Sequence, residues 1–276
     1  MSLDTFQGQV VIVTGASSGI GRAAALLLAS RSARVVLAGR RKELLEQVAQ
    51  DCRQVGGEAK VVLTDVKIEE QCRELVKKTI RDFGKLDMLV NNAGLTMGAL
   101  LQDLPDLDMF RHIMEVNFFG AVYCTTYALP HLKQSAGRIL VVSSLGGKAP
   151  LPGNTPYTSS KFALHGFFDS LRMEVKRYGV SVTIICPYWV VSGFHEAMLD
   201  RNGVPRGPAG RAIYTKKTMT SERCAEIALQ AAASRKREVL MGPGRLMVWM
   251  KLLVPGLLDR MVVKNLRAAI HRSRRR

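Results

Sequence analysis

The sequence predicts an α/β protein: a doubly wound parallel sheet of about seven strands, helices on both faces, and a basic amphipathic C-terminal extension. Three observations predict it. Short apolar runs of strand length alternate with longer segments of helical periodicity. The first apolar run passes through a glycine cluster into a helix-forming stretch. The 276 residues are enough to bury one large core without disulfides or metals.

Strands are expected at 10–14, 34–38, 59–63, 86–91, 138–143, 181–186 and 238–241, and helices at 21–30, 42–55, 69–83, 106–132, 157–178 and 221–233. In such an order the ligand crevice lies at the carboxyl ends of the strands. Residues 1–242 then form a single domain and 243–276 an apolar, basic extension. Residues 190–220 break the alternation, carrying Gly, Pro and charge without clear periodicity, and are expected to form a mobile lid over the crevice.

The chain opens through Asp4, Gln7 and Gly8 straight into the apolar run 10–13, so no secretory signal is expected. Its five cysteines (Cys52, Cys72, Cys124, Cys186, Cys224) are scattered, which points to reduced thiols in a cytoplasmic protein. The formal net charge of +17 favours anionic partners, and twelve Lys/Arg against Glu238 and Asp259 between Arg235 and Arg276 leave about +10 there.

The glycine cluster is Thr14-Gly15-Ala16-Ser17-Ser18-Gly19-Ile20-Gly21. Glycines at such a turn let the backbone approach a pyrophosphate, while the helix N-terminus offers unpaired N–H groups. The spacing Gly-x-x-x-Gly-x-Gly resembles that of the short-chain dehydrogenase/reductase family, and the resemblance extends over roughly 9–241. It implies a Rossmann-like dinucleotide-binding and catalytic domain. It also implies cofactor contacts from Asp65 with Val66 after the third strand, and from Asn92, Ala93 and Gly94 after the fourth.

The second strand ends near Gly39, where an acid would select NAD, and Arg40, Arg41 and Lys42 follow. Two guanidiniums and no carboxylate favour the 2′-phosphate of NADP(H).

Tyr157 and Lys161 stand four apart on one helix face, where an ammonium is expected to lower the phenol pKa and make Tyr157 a proton donor and acceptor. Ser144, thirteen residues upstream, ends an apolar strand aimed at the same crevice and can hold a substrate oxygen against Tyr157. Ser143 is the neighbouring candidate; the family's spacing picks Ser144. The resemblance further implies that Asn117 holds a proton-relaying water and that Lys161 binds the nicotinamide ribose.

After the sixth strand come Pro187, Tyr188, Trp189, Val190, Val191 and Ser192. The family usually has glycine where Tyr188 stands and threonine where Ser192 stands, so Pro187, Val190 and Ser192 are expected at the nicotinamide. Tyr188, Trp189 and Phe194 suit an apolar, aromatic substrate pocket. The five histidines (His112, His131, His165, His195, His271) lack metal-ligand spacing and are expected on helices or the surface, and no metal is expected.

The tail 246–276 mixes Trp, Met and Leu clusters with cations. It fits either a peripheral membrane contact or a helix docked on a second subunit of a homodimer or homotetramer. No specific nucleic-acid module appears. The expected activity is interconversion of an apolar carbonyl and its alcohol. The alternative is a non-catalytic dinucleotide-binding protein tethered to membrane or nucleic acid by its basic tail.

Overall fold

The computed structural model describes residues 6–215 and 218–273, so residues 1–5, the lid residues 216–217 and the terminal arginines at 274–276 lie outside the described residues. In chain order the main elements are β1 (Val10–Thr14), α1 (Gly19–Ala29), β2 (Arg34–Gly39), α2 (Lys42–Gln54), β3 (Glu58–Leu63), α3 (Glu69–Phe83) and β4 (Met88–Asn91). They continue with α4 (Asp108–Met114), α5 (Gly120–Gln134), β5 (Arg138–Val142), α6 (Thr155–Val175), β6 (Ser181–Cys186), β7 (Val190–Val191), β8 (Met219–Thr220), α7 (Ser221–Ala233) and β9 (Glu238–Leu240). Two helices, α8 (Gly244–Leu253) and α9 (Pro255–Ser273), close the described chain.

Seven parallel strands pair in the order β3-β2-β1-β4-β5-β6-β9, so the expected α/β sheet is present. Because β1, β4 and β5 are covered on both faces, every residue in them is buried and they are written almost wholly in Val, Ile and Leu. One face packs on α1, α2 and α7 through Leu28, Leu45, Val48 and Leu229. The other packs on α3, α5 and α6 through Leu75, Cys124, Leu132 and Phe168. All five cysteines are buried and unpaired, as expected. The strand order reverses between β1 and β4, and the crevice beyond their carboxyl ends is where such sheets take ligands.

Two expectations need correction. The helix expected at 106–132 is interrupted: α4 passes through a π-helical turn, Glu115–Phe119, before α5 begins. The expected span treats the stretch as one regular helix, whereas the wider turn rotates the side chains that follow by about 100°, and such turns collect at functional sites. The segment 190–220 is also less irregular than expected. Strands β7 and β8 pair at its two ends, Leu199 bridges to Met97 and Pro205, and a 3-10 turn covers Gly207–Ile213. Among the described residues no helix is long and apolar enough to cross a membrane.

Candidate active site

Strand β1 ends in the glycine turn that starts α1. At Gly19 φ is +56°, and a Cβ there would lie 2.8 Å from the Ser192 carbonyl oxygen, so glycine is required. A Cβ on Gly21 would overlap the Gly15 carbonyl. Asn92 pins this turn, its Nδ2 donating to the Thr14 oxygen at 2.9 Å and the Gly15 oxygen at 3.2 Å. Ser18, the N-cap of α1, makes no side-chain cap bond, so the first-turn N–H groups are left for an anion.

The Ser18 hydroxyl is turned instead to Arg41, whose Nη2 donates to it at 2.8 Å and to Ser17 Oγ at 2.7 Å. Beside it Arg40 stands 3.9 Å from Asp65. Gly39 carries no carboxylate, so this end of the crevice is cationic and rich in hydroxyls. Together with the crowded glycine turn it fits the phosphates of a nicotinamide dinucleotide.

At the other end β5 delivers Ser143 and Ser144. Ser143 Oγ turns inward, 3.1 Å from His165 Nε2, whereas Ser144 Oγ accepts from the Gly146 N–H at 3.0 Å and lines the same cavity as the Tyr157 phenol. Tyr157 and Lys161 share one face of α6 and are both buried, Lys161 Nζ lying 5.5 Å from the Tyr157 ring centroid. That ammonium donates to the Val142 carbonyl at 3.0 Å. Burial pushes the phenol up to about 12, against the bond from Ser144, and pushes Lys161 down to about 8. Burial acts on the phenol in the direction opposite to the lowering expected of the ammonium, whose donated bond goes to the Val142 carbonyl.

Asn117 sits in the π-helical turn and is buried. Its Oδ1 accepts from Leu95 N at 2.8 Å, and its Nδ2 donates to Leu95 O and to Ser160 Oγ, both at 2.9 Å. Both amide protons are used, which leaves one Oδ1 lone pair for a water.

These two ends are joined by one cavity of about 1190 Å³. Every site residue expected from the sequence lines it except Gly21 and Asn117, which lie behind its wall. Its remaining wall is largely apolar: Leu95, Met109, Leu151, Met198 and Leu199, with the aromatic rings of Tyr188, Trp189 and Phe194. The Phe194 ring lies 5.9 Å from that of Tyr157.

A model of the short chain dehydrogenases matches residues 9–202. The chain belongs to the short-chain dehydrogenase/reductase family. It is 35% identical over 267 residues to an 11-beta-hydroxysteroid dehydrogenase of Pinus massoniana, covering 93% of this chain and 73% of that one. It is 39% identical over 191 residues to an 11-beta-hydroxysteroid dehydrogenase-like protein of Arabidopsis thaliana, 69% of this chain and 62% of that one. Among solved structures, an alcohol dehydrogenase of the archaeon Thermococcus sibiricus, complexed with 5-hydroxy-NADP, superposes with a TM-score of 0.73 at 26% identity. The match covers 85% of this chain and 96% of that one. As a short-chain dehydrogenase/reductase the protein is an oxidoreductase of the alcohol and carbonyl type that uses a nicotinamide dinucleotide.

In this dehydrogenase the sequence reading missed several residues. Leu95, Thr96, Met109, Leu151 and Met198 reach the cavity from separate loops and helices, and no linear motif announces them. Of the histidines, His165 stands on helix α6, as expected, and His195 lines the cavity from the segment 190–220. His165 is buried in the core with its Nδ1 3.4 Å from Glu238 Oε1 and its Nε2 3.6 Å from Cys186 Sγ. His195 is buried in the lid, its Nδ1 3.1 Å from the Tyr214 hydroxyl. Glu238 and His165 are far apart in sequence, so spacing could not reveal their meeting. One ring nitrogen of His165, the Cys186 Sγ and a Glu238 carboxylate oxygen lie within 4.8 Å of one another, a cluster of ligand-type atoms that the spacing did not lead us to expect.

Proposed function

We propose that this short-chain dehydrogenase reduces an apolar ketone or aldehyde with NADPH, using Tyr157 as the proton donor. The observation that carries the reading is the placing of Tyr157 and Ser144 where the cationic and apolar parts of a single cavity meet. Gly15, Ser17, Ser18, Gly19 and Ile20 cradle the pyrophosphate, with Gly21 closing the turn behind them, and Arg40 and Arg41 take the 2′-phosphate. Asp65, Val66, Asn92, Ala93 and Gly94 border the adenosine half, and Pro187, Val190 and Ser192 the nicotinamide.

When bound, the nicotinamide dinucleotide supplies the hydride that adds to the carbonyl carbon. Ser144 Oγ, which accepts from the Gly146 N–H, donates its single proton to the carbonyl oxygen and fixes it beside Tyr157. Tyr157 Oη gives its proton to that oxygen. The phenol, pushed up by burial, is protonated at neutral pH and so can serve as the donor. Lys161 places a cation 5.5 Å from the ring, where negative charge develops as the proton leaves, and would hold the nicotinamide ribose when the cofactor is bound. Asn117 anchors the Leu95 loop, and its free lone pair holds the relay water.

Tyr188, Trp189 and Phe194 give the substrate an aromatic wall. The names of the plant relatives support a rigid polycyclic ketone of the steroid kind.

The test is titration of NADPH and NADH into the wild type and an Arg40→Ala, Arg41→Ala double variant, with steroid and other apolar ketones assayed for turnover. Selective loss of NADPH affinity in the variant, roughly 10- to 100-fold, is expected from two charge-assisted bonds. Tyr157→Phe should bind NADPH normally and lose about 10²- to 10⁴-fold in kcat. Equal affinity for both dinucleotides in wild type, or undiminished turnover by Tyr157→Phe, overturns the reading.

A further inference from the structure

Helices α8 and α9 touch the rest of the molecule along one side only. Gly244 is packed so closely on Leu145 that a Cβ would overlap it, Met247 joins the core face of α3, α5 and α6, and Lys251 Nζ lies 4.3 Å from the Phe162 ring centroid. On α9 Leu258 is buried.

The opposite side is apolar and open. Leu246, Trp249, Leu252 and Leu253 recur at helical spacing on α8, with relative exposures of 61–71%, and Leu257 and Met261 continue the row on α9. Eight of the twenty large hydrophobic side chains exposed among the described residues fall between Leu246 and Val263, so this is a patch and not scatter. Arg245, Lys251, Arg260 and Lys264 are exposed on the same two helices, and five further arginines follow at 267–276. Asp259 is the one carboxylate between residues 239 and 276.

We infer that α8 and α9 dock this enzyme on an anionic lipid bilayer, their apolar row dipped into the headgroup boundary and their cations on lipid phosphates and carboxylates. The charge decides between occupants. A second copy of this chain would bring the same excess of cations to the contact and repel, whereas an anionic surface complements it. The lengths agree as well, since these helices are amphipathic and do not meet the requirement for spanning a bilayer.

The inward side of the same two helices borders the site. Met247 of α8 and Val262 of α9 line the cavity that holds Tyr157. A substrate dissolved in the bilayer would then lie next to the cavity wall. That consequence rests on the proposed apolar substrate, while the lipid contact does not.

Binding is read from Trp249, one of two tryptophans, without any turnover. The full chain is mixed with phosphatidylcholine vesicles containing about one-third phosphatidylserine, and with pure phosphatidylcholine vesicles, at about 0.15 M salt. Co-sedimentation at least tenfold stronger with the anionic vesicles is expected. It should come with a blue shift of emission that Trp249→Phe removes, and both signals should weaken at about 1 M salt. A Leu252→Glu, Leu253→Glu variant should lose co-sedimentation while keeping its NADPH affinity and unfolding midpoint. Folded wild type that ignores anionic vesicles overturns the inference. So does a double variant that still binds them but changes from oligomer to monomer in size-exclusion chromatography, an outcome that assigns the face to a second copy.

Discussion

Asn117 grips Leu95 by both of its backbone groups, accepting from the N–H at 2.8 Å and donating to the carbonyl at 2.9 Å. A loop segment beside the cavity is thereby held as a strand neighbour would hold it, by a side chain presented from a π-helical turn. Asn117→Ala would leave Leu95 and Ser160 without these partners, at about 1–3 kcal/mol for each buried group left unsatisfied. Urea unfolding should show a loss of at least that order. An unchanged midpoint would contradict the anchoring role.

Cofactor choice should be reversible at one position. A Cβ on Gly39 meets only Leu45 side-chain atoms, at 3.6 Å and beyond, so an aspartate fits without moving the backbone. Gly39→Asp is expected to weaken NADPH binding about tenfold or more and to strengthen NADH, by repelling the 2′-phosphate and accepting from a ribose hydroxyl. Isothermal titration of both cofactors measures it.

The rate of carbonyl reduction at saturating NADPH should be level through neutral pH and fall as pH rises through about 8. Tyr157, held up to about 12, keeps its proton over that range, while Lys161, pushed down to about 8 by burial, loses its charge. A kcat profile still level at pH 10 would exclude Lys161 as the controlling group.

Stability should decline on mild acidification. Burial holds His165 and His195 at about 4, below their ordinary value near 6.5. Above pH 6.5 both are neutral folded or unfolded. Between 6.5 and about 4 only the unfolded chain takes up these protons, so stability present above 6.5 is lost as pH falls, up to about 3 kcal/mol for each group. His165→Gln should remove about half of this slope in a series of urea midpoints from pH 7 to 4.5.

The sheet and its ends were legible in the amino-acid sequence because their signals are local. A strand covered on both faces is apolar through its middle, as 10–13 and 139–142 are, and a turn crowded as Gly19 is against Ser192 must be glycine. The same holds for Tyr157 and Lys161, whose shared helix face follows from a spacing of four.

What the sequence by itself determined, then, is the order of strands and helices, the cradle at the end of β1, the cations after β2 and the spacing of Ser144, Tyr157 and Lys161. Only the tertiary structure decided which ring nitrogen of His165 faces Glu238, that Asn117 is spent on Leu95, that burial pushes the Tyr157 phenol up, and that Met247 and Val262 join the cavity wall. The division has a physical cause. Helix and strand periods, glycine at crowded turns and residue spacing are properties of neighbouring residues along the chain. Desolvation and the pairing of polar groups depend on what the fold brings together from distant parts of it.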